Sequence, residues 1–312
     1  MSGQRLTLGL TGLIIGASLF TESFALSDCF KFPDGERCVP DVIYVGCGRC
    51  GSTTLFSMLM MHPQFSTMRE ENVEKELCFL SDSRWSPQNT HFDAELTNME
   101  NAKLYAGLFP PINMSADPVQ VRGDFSPSYL SDPAAPNRAL SVAPRSKLIL
   151  MLREPGSQCY VSWHSAPPRT LRKFLSQWKQ NVCPPKGYVS KARSFVNLRF
   201  CQPAYSLGSV QRWLSVWPRE SILFLRSEEL FSDATRVLRK VEDFLGLEPT
   251  DWNGLEFANL AQIGANRRKR SYPATPSKHL RGYFNKCYAP VVKSLRAIDS
   301  SFWWPEYDHS FT

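Results

Sequence analysis

The chain has 312 residues, of which 43% are apolar and 21% charged, enough to bury the core of one large α/β domain or, less comfortably, of two small ones. The net charge of +7 is uneven: residues 262–312 carry nine Lys or Arg against three Asp or Glu, net +6, which leaves +1 for everything before them. A basic balance concentrated at that end reads as an anion site or as a solvated charged face.

Residues 1–25 read as a targeting segment. Arg5 supplies the positive charge, Leu6–Phe20 is an apolar run, and Ser23-Phe24-Ala25 offers a small-x-small cleavage site. The run is short against the ~20 residues of a membrane span. A cleaved signal peptide and an uncleaved signal anchor are both open; each places the remainder in the secretory lumen, and only the second touches a membrane. Residues 26–40 are then expected to form a short luminal stem and residues 41–312 one domain. Nine cysteines suit an oxidising compartment. Cys29 and Cys38 flank a short turn and are expected to pair, and Cys183 is expected to pair with Cys201. Cys47, Cys50, Cys78, Cys159 and Cys287 fall in or near core elements, and the odd count leaves at least one thiol without an intramolecular partner. Asn113-Met114-Ser115 is an N-glycosylation sequon.

The stretch Asp41–Phe65 carries the densest signal. Val42–Val45 is a short β-branched run, Gly46 and Gly48 break it, and Leu55, Met58, Leu59 and His62 recur on one helical face until Pro63. Strand, glycine loop and helix is the geometry that cradles phosphate, because glycines admit a close anion and the helix N-terminus points N–H groups at it. Arg49, Ser52, Thr53 and Thr54 add donors. A nucleoside-triphosphatase loop is excluded: Gly46 and Gly51 are spaced for one, but Ser52 stands where that loop needs lysine.

Farther along, Gln64–Met68 reads as a brief strand, and Arg69–Leu80 as a turn entering a short helix. Ser81–Asp117 reads as helical insertions and loops. Val119–Asp124, Ser146–Leu152 and Ser221–Leu225 read as strands. Helices are expected from Tyr160, over Ser206–Trp217, over Ala234–Leu245 and over Ser277–Leu295, with Pro167–Gly187 loop-rich. Alternating strands and helices imply a parallel sheet whose ligand lies beyond the strands' carboxyl ends. Gly46–Ser52, Asp124–Ser128 and Arg153–Ser157 would meet there. His62, on the apolar face of its helix, is expected in the core; His164 has no spacing argument.

Several of these segments resemble the PAPS-dependent sulfotransferases, PAPS being 3′-phosphoadenosine 5′-phosphosulfate. Arg49-Cys50-Gly51-Ser52-Thr53 is similar to their 5′-phosphosulfate loop. Lys147–Ser162 is similar to their 3′-phosphate segment, with Arg153 and Pro155 in place; the expected serine register lands on Val161, one step before Ser162. Gly123–Tyr129 resembles a Gly-Glu-x-Ser/Thr-Pro-x-Tyr turn with Asp124 for the glutamate. Tyr205–Gly246 and Arg267–Pro273 resemble later family segments, the second being a basic loop that closes over the nucleotide. Lys75-Glu76-Leu77-Cys78-Phe79 resembles the Lys-Glu-x-His-Phe motif of Golgi glycosaminoglycan O-sulfotransferases, with Cys78 where that motif has histidine.

The resemblance implies an α/β, P-loop-like three-layer fold with a central, mostly parallel sheet flanked by helices. It implies PAPS as sulfuryl donor, no metal, and a carbohydrate or other hydroxyl or amine acceptor in the Golgi lumen, with no nucleic-acid partner. The nucleotide would be held by Arg49, Cys50, Gly51, Ser52, Thr53, Thr54, Arg153, Ser162, Arg268 and Arg270. Glu76 would be the general base, Arg49 would stabilise the leaving phosphate, and Lys75 would steady the sulfuryl group. Tyrosylprotein and small-alcohol acceptors stay open. So does a catalytically inactive lectin-like protein of the same fold. From another class, Cys47-Gly48-Arg49-Cys50 between strand and helix fits a thiol–disulfide oxidoreductase. A zinc site built on that pair lacks a second pair at ligand spacing.

Overall fold

The computed structural model describes residues 28–66, 76–81, 91–112, 120–164, 201, 204–252 and 276–310. Its centre is a run of strands apolar at nearly every position, which demands cover on both faces. In β3 (Val42–Tyr44) all three residues are buried, and in β6 (Lys147–Leu152) all but the first. These two pair with each other at the middle of a five-stranded sheet, completed by β4 (Phe65–Ser66), β5 (Val121–Phe125) and β7 (Ile222–Arg226). The order is β4-β5-β3-β6-β7, and every pairing is parallel. Val42 is level with Gly123 on one side and Lys147 on the other, so the loops leaving β5, β3 and β6 emerge side by side.

The helices are α1 (Ser52–Leu59), α2 (Asn98–Ala106), α3 (Ala135–Val142), α4 (Pro155–His164), α5 (Ser209–Leu214), α6 (Ser227–Ser232), α7 (Ala234–Leu245) and α8 (Lys278–Ile298). α7 shows how local chemistry sets bounds. The Asp233 side chain accepts from Arg236 N at its start, Val237, Leu238, Val241 and Leu245 face the core, and Gly246 ends it in the left-handed region. Ser277 caps α8 in the same way. α4 begins at Pro155, five residues before the expected Tyr160. The Glu154 carboxylate accepts from Gly156 N and Ser157 N at 2.6 Å each, and proline suits a first helical position because its missing N–H would have no partner there. Residues 76–78 are irregular and 79–80 form a turn, so the described end of the Arg69–Leu80 stretch is not the short helix expected.

One further expectation is corrected, the pairing of Cys201. The stretch read as a stem contains a hairpin, β1 (Cys29–Phe32) with β2 (Gly35–Cys38), closed by the expected Cys29–Cys38 disulfide. Arg37 anchors it to the domain: buried, it donates to the Phe109 carbonyl at 2.7 Å and the Gly107 carbonyl at 3.2 Å. Cys201 bonds not to Cys183 but to Cys159 in α4. Both half-cystines are fully buried, so the link crosses the core instead of closing a local loop. Cys183 lies outside the described residues. Cys47–Cys50 is a third disulfide, Cys287 is also disulfide-bonded, and Cys78 is a buried free thiol.

His62 is a core residue, as expected. Gln64 N donates to its Nδ1 at 3.1 Å, which assigns the proton to Nε2, 3.0 Å from the Glu248 carbonyl. Beneath the sheet's other end, Asp41 and Arg122 form a buried two-pronged ion pair. Among the described residues no helix is long and apolar enough to cross a membrane; residues 1–25 lie outside them.

Candidate active site

β3 hands over to its loop without leaving the sheet at once. Val45 N and Cys47 N still bond to Ile149 O and Met151 O, at 2.9 and 3.0 Å, so the turn begins only after Cys47. A side chain at Gly46 would collide with the Tyr44 hydroxyl and the Met151 amide. Gly51 has φ 102°, a conformation that glycine adopts without strain, and a Cβ there would meet Phe231. Between them Arg49 has φ 65°, uncommon for a residue with a side chain, and is exposed.

Three residues that sequence reading passed over hold this loop. The Gly48 N–H donates to the Tyr205 hydroxyl at 3.2 Å. The Gly48 carbonyl accepts from Gln158 Nε2 at 2.6 Å, and the Cys50 sulfur rests 3.3 Å from Gln158 Oε1. Tyr44 lies under the loop, stacked on Phe125, and its buried hydroxyl has no hydrogen-bond partner among the described residues. Burial, then Tyr205 and Glu76, push that phenol well above its usual range, so it remains a donor. A small cleft between loop and α4 is lined by Cys47, Arg153, Gln158, Tyr205 and Tyr288 among others.

Arg153, at the carboxyl end of β6, donates to the Arg49 carbonyl at 3.2 Å. Burial lowers its pKa, opposed by Glu228 and Glu154. Those two carboxylates anchor a scaffold: Glu154 N and Trp304 Nε1 donate to Glu228 at 3.0 and 2.8 Å, and Tyr307 donates to Glu154. Burial raises the Glu228 pKa. Ser162 is buried within α4, 3.4 Å from Gln158 Nε2, so it meets the loop through Gln158.

Along the loop, Cys50 is fully buried, Ser52 nearly so, Thr54 half-buried and Thr53 exposed at the first turn of α1. The donors here are two guanidinium groups, hydroxyls and helix-start amides, with no carboxylate in the loop; that set suits a phosphate or sulfate group. Glu76 is exposed, and its charge is felt by Tyr44 and Asp124, the ends of β3 and β5. Arg49, Arg153 and Glu76 therefore share one edge of the sheet. Lys75, Arg268 and Arg270 lie outside the described residues, as do Arg267–Pro273 and the His164 side chain. Among the described residues no group of His, Cys, Asp and Glu could hold a metal ion. Cys47 and Cys50 are disulfide-bonded and buried to 1% and 0% exposure, which withholds their sulfurs from the thiolate attack that disulfide exchange needs.

A family model described as "Sulfotransferase domain" matches residues 39–288. The chain is 26% identical over 220 residues to the mouse (Mus musculus) bifunctional heparan sulfate N-deacetylase/N-sulfotransferase 4, a match that takes in 68% of this chain and 23% of that protein. It is 25% identical over 216 residues to the mouse heparan sulfate glucosamine 3-O-sulfotransferase 6, 69% of this chain and 54% of that one. The chain thus spans about a quarter of the first and about half of the second. Its fold matches the crystal structure of a sulfotransferase from Alicyclobacillus acidocaldarius with TM-score 0.55 and 20% identity, over 83% of this chain and 95% of the other. A parallel sheet with a glycine loop leaving its central strand, together with a match spanning most of the domain, shows that the chain belongs to the sulfotransferase-domain family.

Proposed function

We propose that the protein transfers a sulfuryl group from PAPS to a hydroxyl or amine of a carbohydrate acceptor in the secretory lumen. The observation that carries this reading is the meeting of three segments, the Gly46–Ser52 loop, Arg153 and Glu76, at one edge of the sheet. The carbohydrate class is suggested by the relatives, a heparan sulfate N-deacetylase/N-sulfotransferase and a heparan sulfate glucosamine 3-O-sulfotransferase.

The nucleotide supplies an activated sulfuryl group when bound; the chain's residues must bind it, offset its charge and accept a proton. Arg49 is assigned to the leaving phosphate, where a guanidinium offsets developing charge. Ser52, Thr53 and Thr54, with the amides of Cys50 and Gly51, cradle the phosphosulfate end. Arg153 takes the 3′-phosphate, with Ser162 supporting it through Gln158. Glu76 accepts the acceptor's proton. On sequence grounds alone, Lys75 is assigned to the sulfuryl oxygens, and Arg268 and Arg270 to a loop that closes over the nucleotide.

Adenosine 3′,5′-bisphosphate should raise Tm by mass action, and radiolabelled sulfate from PAPS should reach members of a glycosaminoglycan panel. Glu76→Gln should abolish turnover and keep nucleotide affinity. Absence of both binding and transfer would refute the reading. Transfer to tyrosine peptides or small alcohols alone would move the acceptor class.

A further inference from the structure

Glu76 stands exposed on an irregular segment near Tyr44 and Asp124, and a general base needs a fixed position. The segment that follows it, residues 78–81, is held from beneath. The buried Asp124 carboxylate, at the end of β5, gathers three hydroxyls: Tyr105 and Tyr129 each donate to Oδ2 at 2.6 Å, and Ser126 donates to Oδ1 at 2.6 Å. Two of these hydroxyls reach on. Ser126 Oγ accepts the Cys78 N–H at 2.9 Å, and Tyr129 OH accepts the Leu80 N–H at 3.3 Å. Two further ties of the segment run to neighbours of this platform, and Phe92 N donates to the Phe79 carbonyl at 2.8 Å. Ser81 and Ser128 hydroxyls meet at 2.9 Å, and Arg138 donates to the Leu80 carbonyl at 3.0 Å. The chain departs from this dock at Cys78, where φ is 53°, so a shift of Ser126 changes the direction in which Glu76 leaves.

We propose that Asp124 is a positioning residue for the transfer reaction: through Ser126 and Tyr129 it docks residues 78–81 and so sets where Glu76 meets the acceptor. This rests on the sulfuryl-transfer reading and on Glu76 as base. Hydroxyl donors crowd both oxygens of the carboxylate. A proton added to either oxygen puts a hydrogen where one already points, and a donor must turn away. The titratable groups facing Asp124 are Tyr105, Tyr129, Cys78 and Glu76, the phenols held protonated and the thiol raised, in each case chiefly by burial. Burial raises Asp124 itself to about 6, against the pull of its three hydroxyls. The dock therefore loosens as pH falls through that value.

The test uses the full chain and measures transfer from radiolabelled PAPS to an accepted glycosaminoglycan between about pH 5 and 7.5. Wild type, Asp124→Asn, Ser126→Ala and Glu76→Gln are compared, with the Tm rise from adenosine 3′,5′-bisphosphate recorded for each. Asp124→Asn and Ser126→Ala are expected to lose kcat by about tenfold or more, with the nucleotide-induced Tm rise kept. Wild-type kcat should fall below pH about 6, and the Asp124→Asn rate should stay flat over that range. An Asp124→Asn enzyme with wild-type kcat and pH profile overturns the proposal while leaving the transfer reading intact. If Asp124→Asn does not fold, Ser126→Ala decides: unchanged kcat overturns, and a loss with nucleotide response kept supports. Wild type that transfers no sulfuryl group from PAPS to any acceptor sinks the parent reading and this proposal together.

Discussion

Gln158 Nε2 donates to the Gly48 carbonyl at 2.6 Å, tying the middle of the glycine loop to the first turn of α4. The bond joins residues 110 apart in sequence and fixes the one loop glycine around which a Cβ would find open space. Gln158→Leu removes the donor and keeps most of the bulk. Losing one such bond costs about 1 kcal/mol. Adenosine 3′,5′-bisphosphate should then bind roughly fivefold more weakly by calorimetry, with Tm nearly unchanged. Equal affinity in the variant would show that the loop is rigid without this contact.

Asp41 and Arg122 test the sheet independently of function. They are 7% and 4% exposed, and Asp41 also accepts the Arg122 N–H at 2.9 Å. Removing one member of a buried pair strands the other's charge. Asp41→Ala should cost about 3–5 kcal/mol in urea unfolding. A cost below about 1 kcal/mol would mean that the arginine finds water in the variant.

Tyr307 supplies the third test. Its hydroxyl donates to the buried Glu154 carboxylate, which also holds the start of α4. Tyr307→Phe leaves that acceptor one donor short, a cost of about 1–3 kcal/mol. The denaturation midpoint should fall, and nucleotide affinity should fall with it, because Glu154 adjoins Arg153. Lower stability with unchanged affinity would disconnect the tail from the site.

Asp124 makes a stability prediction of definite sign. Its folded pKa, about 6, lies above the ordinary 3.8. A raised carboxyl contributes stability below the unfolded value and loses it as pH climbs through the folded one. Unfolding free energies of wild type minus Asp124→Asn should therefore drop by about 2 kcal/mol between pH 4 and 7. A difference that stays constant, or grows with pH, would place the charged carboxylate in a better environment than its burial implies.

Some of this could be read from residues alone. α7 matches the expected Ala234–Leu245, because its apolar face, its cap and its closing glycine all act within a few residues. The sheet's parallel order followed from strands alternating with helices. The hairpin at 29–38 escaped notice because its strands are four residues long and charged, and a buried arginine, not an apolar face, fastens it. The start of α4 was missed because Pro155-Gly156 looks like a turn until Glu154 is seen capping it. Gln158 and Tyr205 were invisible for a different reason. Each acts on a loop more than 100 residues away, and neither residue type announces such a contact. Cys201 misled in the same manner: proximity in sequence favoured Cys183, and the core brought Cys159.

The carboxylates around Arg153 are completed by Trp304 and Tyr307, residues translated long after the glycine loop they help to support. A nascent chain that has released the loop and all five strands still lacks these last struts. The brace around Arg153 is thereby deferred until well after the last strand of the sheet, and a chain interrupted before residue 304 would carry those strands with an unbraced arginine.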